Sequence, residues 1–325
     1  MRAAALLFAL LPALAGAQTP GTATITTPGG TITFPITVTL PPPVPGPAGP
    51  QGAQGPVGPP GATIPIPAAQ AGYLTRTFGP TAPLGAWLPW NFFGQSNGLA
   101  ATQDALGALH LTGTGALTTA VNDYTQPHKW RGLSFGGGYY YQAIVSFQGA
   151  PPSTGKWPAL WALAIEHASG GYEGTGALQV QGQPAGYDHF VEQDFLEAIG
   201  TTASYSTTLH EHYGLQAGNA SNVQAGIQGY KTPIQGAWSQ PQKIGFLWVP
   251  ATATTQGYVE SFYNDQPQGK ITWSAYSSAS VPPANPYAIG DLQHFPLIIT
   301  TNAANPMTVS EVSVWQANAA SNITD

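Results

Sequence analysis

Between Tyr73 and Gln316 the apolar residues almost never recur with the i, i+3, i+4, i+7 period of a helix face. What recurs is a short run of β-branched and aromatic residues closed off by glycine, proline or asparagine. Gly138 to Phe147 (GYYYQAIVSF), Ile244 to Val249, Tyr258 to Tyr263, Pro296 to Thr301 and Thr308 to Trp315 are such runs. In the last of them Val309, Glu311, Ser313 and Trp315 alternate with Ser310, Val312 and Val314, a period of two. Many short strands separated by turn formers predict an all-β fold, a sandwich or jelly roll, for this region.

The composition allows a core of that size, with 42% hydrophobic and 11% aromatic residues and all nine tryptophans inside this region. Charge is scarce. Only 7% of residues are charged and the formal net charge is −6, against roughly 25% charged in an average soluble domain. Eight Lys and Arg residues provide no basic surface for a polyanion, so neither nucleic acid nor a membrane is expected as a partner. The absence of cysteine excludes disulfides, thiolate-bound zinc and a thiol nucleophile.

The N-terminal part has a different texture. Residues 1–17 place Arg2 before an apolar run and end on Ala15-Gly16-Ala17, the layout of a secretory signal peptide, so a secreted protein is expected. Residues 18–45 are rich in Thr and Pro and read as an extended segment or one strand pair. In residues 46–63 glycine occupies every third position from Gly46 to Gly61, the collagen register in which only glycine fits the crowded axis. So few triplets read as an extended spacer, or as a stalk assisting a weak homotrimer. Residues 64–72 read as a linker, 73–318 as the β-domain and 319–325 as a tail.

One cluster stands out against this charge-poor background. Of seven Glu and seven Asp, Asp188, Glu192, Asp194 and Glu197 fall within ten residues. On a strand Glu192 and Asp194 share a face, whereas Glu197, five positions after Glu192, points the other way. One β-bulge between Asp194 and Glu197 restores it to that face. On a helix the first two diverge by about 200° and the cluster does not converge. Crowded carboxylates hold on to a proton. One ionised nucleophile beside one protonated acid, about 5–5.5 Å apart, is what retaining glycoside hydrolysis requires. A solvated strand face or an acidic calcium site is the alternative reading of the same residues.

With its flanks included, the sequence resembles glycoside hydrolase family 16, which carries E-x-D-x-E or the bulged E-x-D-x-x-E. The stretch Gly155-Lys156-Trp157-Pro158-Ala159-Leu160-Trp161-Ala162-Leu163 is similar to the family's G-x-W-P-A-x-W-L-L strand, and Gly138 to Ala143 to its G-x-Y-E-A-R strand. Phe246 to Pro250, Phe262 to Asp265 and Val309 to Gln316 match its closing strands. The resemblance implies a concanavalin-like β-jelly-roll sandwich preceded by the extended stalk. It implies Glu192 as nucleophile, Glu197 as general acid/base and Asp194 as the residue orienting the nucleophile. Gln193 and Gln142 depart from the pattern, standing where the family usually has an aliphatic residue and a glutamate.

The implied substrate is a β-linked polysaccharide, a β-1,3- or β-1,3-1,4-glucan, with hydrolysis and transglycosylation sharing all these residues. Trp157 and Trp161, four apart and so on one strand face, are candidates for stacking on sugar rings, or else for core packing. His210 is the candidate cleft histidine. His210 and His212 share a strand face, yet no third ligand has metal-site spacing, so no catalytic metal and no cofactor is expected. The resemblance leaves room for a structural calcium ion, with no ligand set readable. The rival readings are a lectin-like binding module and a surface protein built around the collagen-like stalk.

Overall fold

The computed structural model describes residues 18–27, 30–39, 64–79, 82–90, 98–122, 130–148, 158–168, 187–198, 203–215, 223–277 and 285–324. The expected signal peptide, the collagen-like segment and Trp157 lie outside them. The chain divides into two compact units, Met1–Ala62 and Thr63–Asp325. In the first, β1 (Gln18–Thr27) and β2 (Gly30–Thr39) pair antiparallel, from Gln18 opposite Thr39 to Thr27 opposite Gly30. The Thr/Pro-rich segment thus contains a strand pair.

The second unit opens with a single helical turn, α1 (Ile66–Gln70), followed by β3 (Thr75–Phe78), β4 (Leu88–Trp90), β5 (Ala100–Gln103) and β6 (Leu109–Thr112). Then come β7 (Gly115–Thr118), β8 (Ala120–Asn122), β9 (Trp130–Ser134), β10 (Tyr139–Phe147), β11 (Ala159–Leu163) and the short helix α2 (Ile165–Ala168). The long strands β12 (Tyr187–Glu197), β13 (Ser204–Leu215) and β14 (Val223–Pro233) follow. The unit closes with β15 (Gln242–Val249), β16 (Gly257–Tyr263), β17 (Gln266–Trp273), β18 (Leu297–Thr301), β19 (Met307–Gln316) and β20 (Ile323–Thr324).

Two large antiparallel sheets result, beside a small one of order β20-β9-β8, and the chain crosses between the large two repeatedly. One runs β17-β16-β15-β10-β19-β6-β5 with β3 added beside β19; the other runs β14-β13-β12-β11-β18-β7-β4. This is a jelly-roll sandwich, the all-β class that the strand texture predicts. Between the sheets, Phe195 of β12 packs 4.4 Å from Tyr141 of β10 and 4.7 Å from Phe246 of β15, ring centre to ring centre. Tyr139 and Trp248 meet edge to face at 5.3 Å, a geometry that aligns ring edge and ring face favourably. Central strands buried on both sides are apolar on both sides, which is why β10 reads as a nearly continuous apolar run.

Two expected boundaries move. Residues 64–72, read as a linker, belong to the sandwich. Ala68 of α1 and Tyr73 are buried against Tyr140, Leu247, Phe262 and Trp315 on the outer face of the β10 sheet. The Tyr73 hydroxyl donates to the Trp248 carbonyl at 2.9 Å. Gly138, at φ +87°, lies so close beneath that a Cβ there would collide with the same hydroxyl. At the other end residues 319–325 are more than a tail. β20 pairs with β9, and Asn322 ties Gln316 to the Gly136 amide.

Candidate active site

The outer face of the β12 sheet carries the carboxylates, because alternation along β12 sends Val191, Gln193 and Phe195 into the sandwich and Glu192 and Asp194 away from it. The register shift that the spacing requires is present. Asp194 faces Thr208 and Glu197 faces Ser206 across β13, so Phe195 and Leu196 together oppose Thr207 alone. The Phe195 and Leu196 side chains are both buried in the core, and the one extra residue of the bulge returns Glu197 to the face of Glu192 and Asp194.

The three carboxylates differ in burial. The Glu192 side chain is 25% exposed and that of Asp194 only 3%. Burial pushes Asp194 well above the usual carboxylate range; the charges of Glu192 and Glu197 add to the effect, and a hydrogen bond with Glu197 contributes. The central carboxyl therefore holds a proton more tightly than an ordinary carboxylate and shares it with Glu197 through their hydrogen bond. Thr208 donates its hydroxyl to Glu197 Oε2 at 3.3 Å.

The neighbouring strand β13 contributes two imidazoles to the same face. His210 stands directly opposite Glu192 in the register and places Nε2 2.9 Å from Asp194 Oδ2. His212 Nε2 lies 3.4 Å from Glu192 Oε2. A row of stacked rings continues from there, with His212 on Phe190 at 4.7 Å and Phe190 on His167 of α2 at 3.6 Å. On the other flank Trp161 of β11 lies opposite Asp194. Its indole N–H donates to Thr300 at 2.8 Å, and its ring packs 5.0 Å from Trp90. Partly exposed indole and imidazole faces along a row of carboxylates form a surface suited to the apolar faces of sugar rings.

Of the residues singled out in the sequence, the structure brings together Glu192, Asp194, Glu197, His210 and Trp161. Sequence reasoning placed His212 on the face of His210 without assigning it to the site, and missed Trp90 and the buried Phe190 on which His212 stacks. His212 carried a signal in its i, i+2 spacing from His210, whereas Trp90 reaches the site through pairing of β4 with β7, which no local pattern announces. Gln193, the departure from the family pattern, points into the core and accepts the Tyr139 hydroxyl at 2.5 Å, so it holds the two sheets together behind the carboxylates. Gln142 sits on β10, where its amide donates to Glu311 at 3.0 Å. Behind the site a buried hydrogen bond between His189 Nε2 and Glu211 Oε1, 2.7 Å long, links β12 to β13.

Glu192, Asp194 and His210 each offer a donor atom within 4.8 Å of the others, and among the described residues no other group of His, Asp and Glu side chains is clustered in this way. Its imidazole does not suit calcium, which takes six to eight oxygens, so these residues do not fit a structural calcium site.

No protein-family model matches the chain, and no curated protein sequence matches it. Among solved structures, the chain is similar to an endo-1,3-beta-glucanase from Streptomyces sioyaensis at 16% identity and a TM-score of 0.36, over 75% of this chain and 99% of that one. It is similar to a legume lectin-like domain from Entamoeba histolytica at 6% identity and a TM-score of 0.40, over 75% and 97%. The metal-free carbohydrate recognition domain of Emp46p is another such neighbour, at 8% identity and a TM-score of 0.37, over 75% and 96%.

Proposed function

We propose that this chain is a secreted retaining glycoside hydrolase that cuts β-1,3- or β-1,3-1,4-glucan within the chain. The observation carrying this reading is the bulge in β12, which gathers Glu192, Asp194 and Glu197 on one face beside Trp161. In a domain this poor in charge, a crowded and partly buried carboxylate row needs a purpose that a binding surface does not supply.

In the first step Glu192, ionised, attacks the anomeric carbon. The glycosidic C–O bond breaks and Glu197 gives its proton to the departing oxygen. In the second step Glu197 takes a proton from water, the water oxygen bonds to the anomeric carbon, and Glu192 leaves as carboxylate. Asp194 positions Glu192 and Glu197 from between them, holding a proton within the cluster.

The test is release of reducing sugar from laminarin, lichenan, agarose, carrageenan and xyloglucan by the wild-type chain and by Glu192→Gln. Activity on one of the glucans, lost by at least a thousandfold in the variant, is expected, with proton NMR showing a first-formed product of unchanged anomeric configuration. A folded wild type inert on all five, or a product of inverted configuration, would overturn the mechanism.

A further inference from the structure

We infer that the same face binds a divalent transition-metal ion of the zinc class through Glu192, Asp194 and His210, with His212 completing the set. This deepens the hydrolase reading and rests on it in one respect: bound metal acts as a reversible inhibitor by occupying the lone pair with which Glu192 attacks.

The argument comes from how the donor atoms meet. Asp194 Oδ2 is buried and has no hydrogen-bond partner, although His210 Nε2 is only 2.9 Å away. His212 Nε2 is likewise buried without a hydrogen-bond partner at 3.4 Å from Glu192 Oε2. At such distances a hydrogen bond fails only when donor and acceptor are not in line. Two pairs of heteroatoms therefore lie side by side rather than aimed at each other. That is the relation of neighbouring ligands around a metal. A tetrahedral zinc site with bonds of about 2.0–2.1 Å separates adjacent donors by about 3.3 Å, close to both distances.

The chemistry of the set narrows the ion. Two carboxylates and one or two imidazoles suit zinc, copper or nickel rather than calcium or magnesium, which prefer oxygen throughout. All four side chains project from two paired strands of one sheet, so the donors are carried by a scaffold that needs no loop to close. The sequence conceals this site because its two halves lie sixteen to twenty residues apart and meet only through the β12–β13 register.

The experiment is isothermal titration of the full chain with zinc chloride in chelator-free buffer, together with zinc K-edge absorption of the loaded wild type. One ion per chain, at least tenfold weaker in His210→Ala and in Asp194→Asn, with imidazole scattering in the absorption spectrum, is expected. Circular dichroism confirms folding of the variants, and the wild-type spectrum decides the matter where a variant does not fold. Absence of binding, binding unchanged in both folded variants, or a spectrum lacking imidazole would overturn the site. Hydrolysis is read separately. A chain that binds zinc in this manner but releases no sugar, with or without the ion, keeps the metal site and loses the hydrolase. A chain that hydrolyses at full rate when saturated with zinc overturns the inference.

Discussion

At the scale of single residues, the polar groups buried behind and beside the sheets decide more than their number suggests. Asp291 receives the indole N–H groups of Trp248 at 3.2 Å and Trp273 at 2.8 Å, and the Ala251 amide at 3.0 Å. Replacing Asp291 by Ala leaves three donors without an acceptor, and the unfolding free energy from urea titration should fall by about 3 kcal/mol at the low end, since each orphan costs about 1–3. Burial raises the Asp291 carboxyl above its usual range, against the three hydrogen bonds that lower it. The folded state thus holds this proton more tightly than the unfolded chain. Its contribution is full at low pH and declines as pH rises from the ordinary carboxylate value through the raised one. The destabilisation by Asp291→Ala should therefore be larger at pH 3 than at pH 7; an equal or reversed difference would contradict the assignment. None of this is legible in the sequence, where Asp291 is one acid among glycines and leucines. Gln193 teaches the opposite lesson, since its departure from an aliphatic pattern is visible, but its reason, the hydroxyl of Tyr139, comes from the other sheet.

At the scale of elements, the bulge in β12 was readable because three carboxylates at spacings of two and three cannot share a face of a regular strand. What β12 sits beside was not readable. Neither the register with β13, across the short connection 198–203, nor that with β11, across the much longer 164–186, is written in a local pattern, so the meeting of Glu192 with His212, or of Trp161 with Trp90, has no local trace. The bulge makes its own prediction. Removing Leu196 leaves Glu192, Asp194 and the final glutamate at spacings of two and two, which a regular strand presents on one face without a bulge. The shortened chain should still hydrolyse the substrate of the wild type. It should be less stable by about 2–5 kcal/mol, the cost of losing a buried leucine, as Leu196 is fully buried. Thermal unfolding and reducing-sugar release, measured on the same preparation, separate the two effects. A folded variant without any activity would mean that the bulge itself shapes the site.

For the whole molecule, strand texture announced the sandwich, because period-two alternation and turn residues act locally while the core they build does not depend on loop detail. The edges of the sandwich were misjudged for the converse reason. One turn of helix is too short to show a period, and Ile66 to Gln70 therefore passed for linker although Ala68 is fully buried. The unit boundary falls at Thr63, ten residues before the one suggested by composition, and the difference can be measured. A chain beginning at Thr63 should unfold at the temperature of the full chain and keep its activity. A chain beginning at Leu74 lacks α1 and Tyr73, and so uncovers Tyr140, Leu247, Phe262 and Trp315 on the outer face of the β10 sheet. Exposing that apolar surface costs on the order of 3 kcal/mol, or roughly 6–12 °C in Tm for a domain of this size. It should also bind the dye ANS, while its carboxylate face on the opposite sheet is left as it was. Equal melting temperatures for the two truncated chains would show that α1 only rests on the sandwich. A drop on removing residues 1–62 alone would place the stability boundary upstream of Thr63.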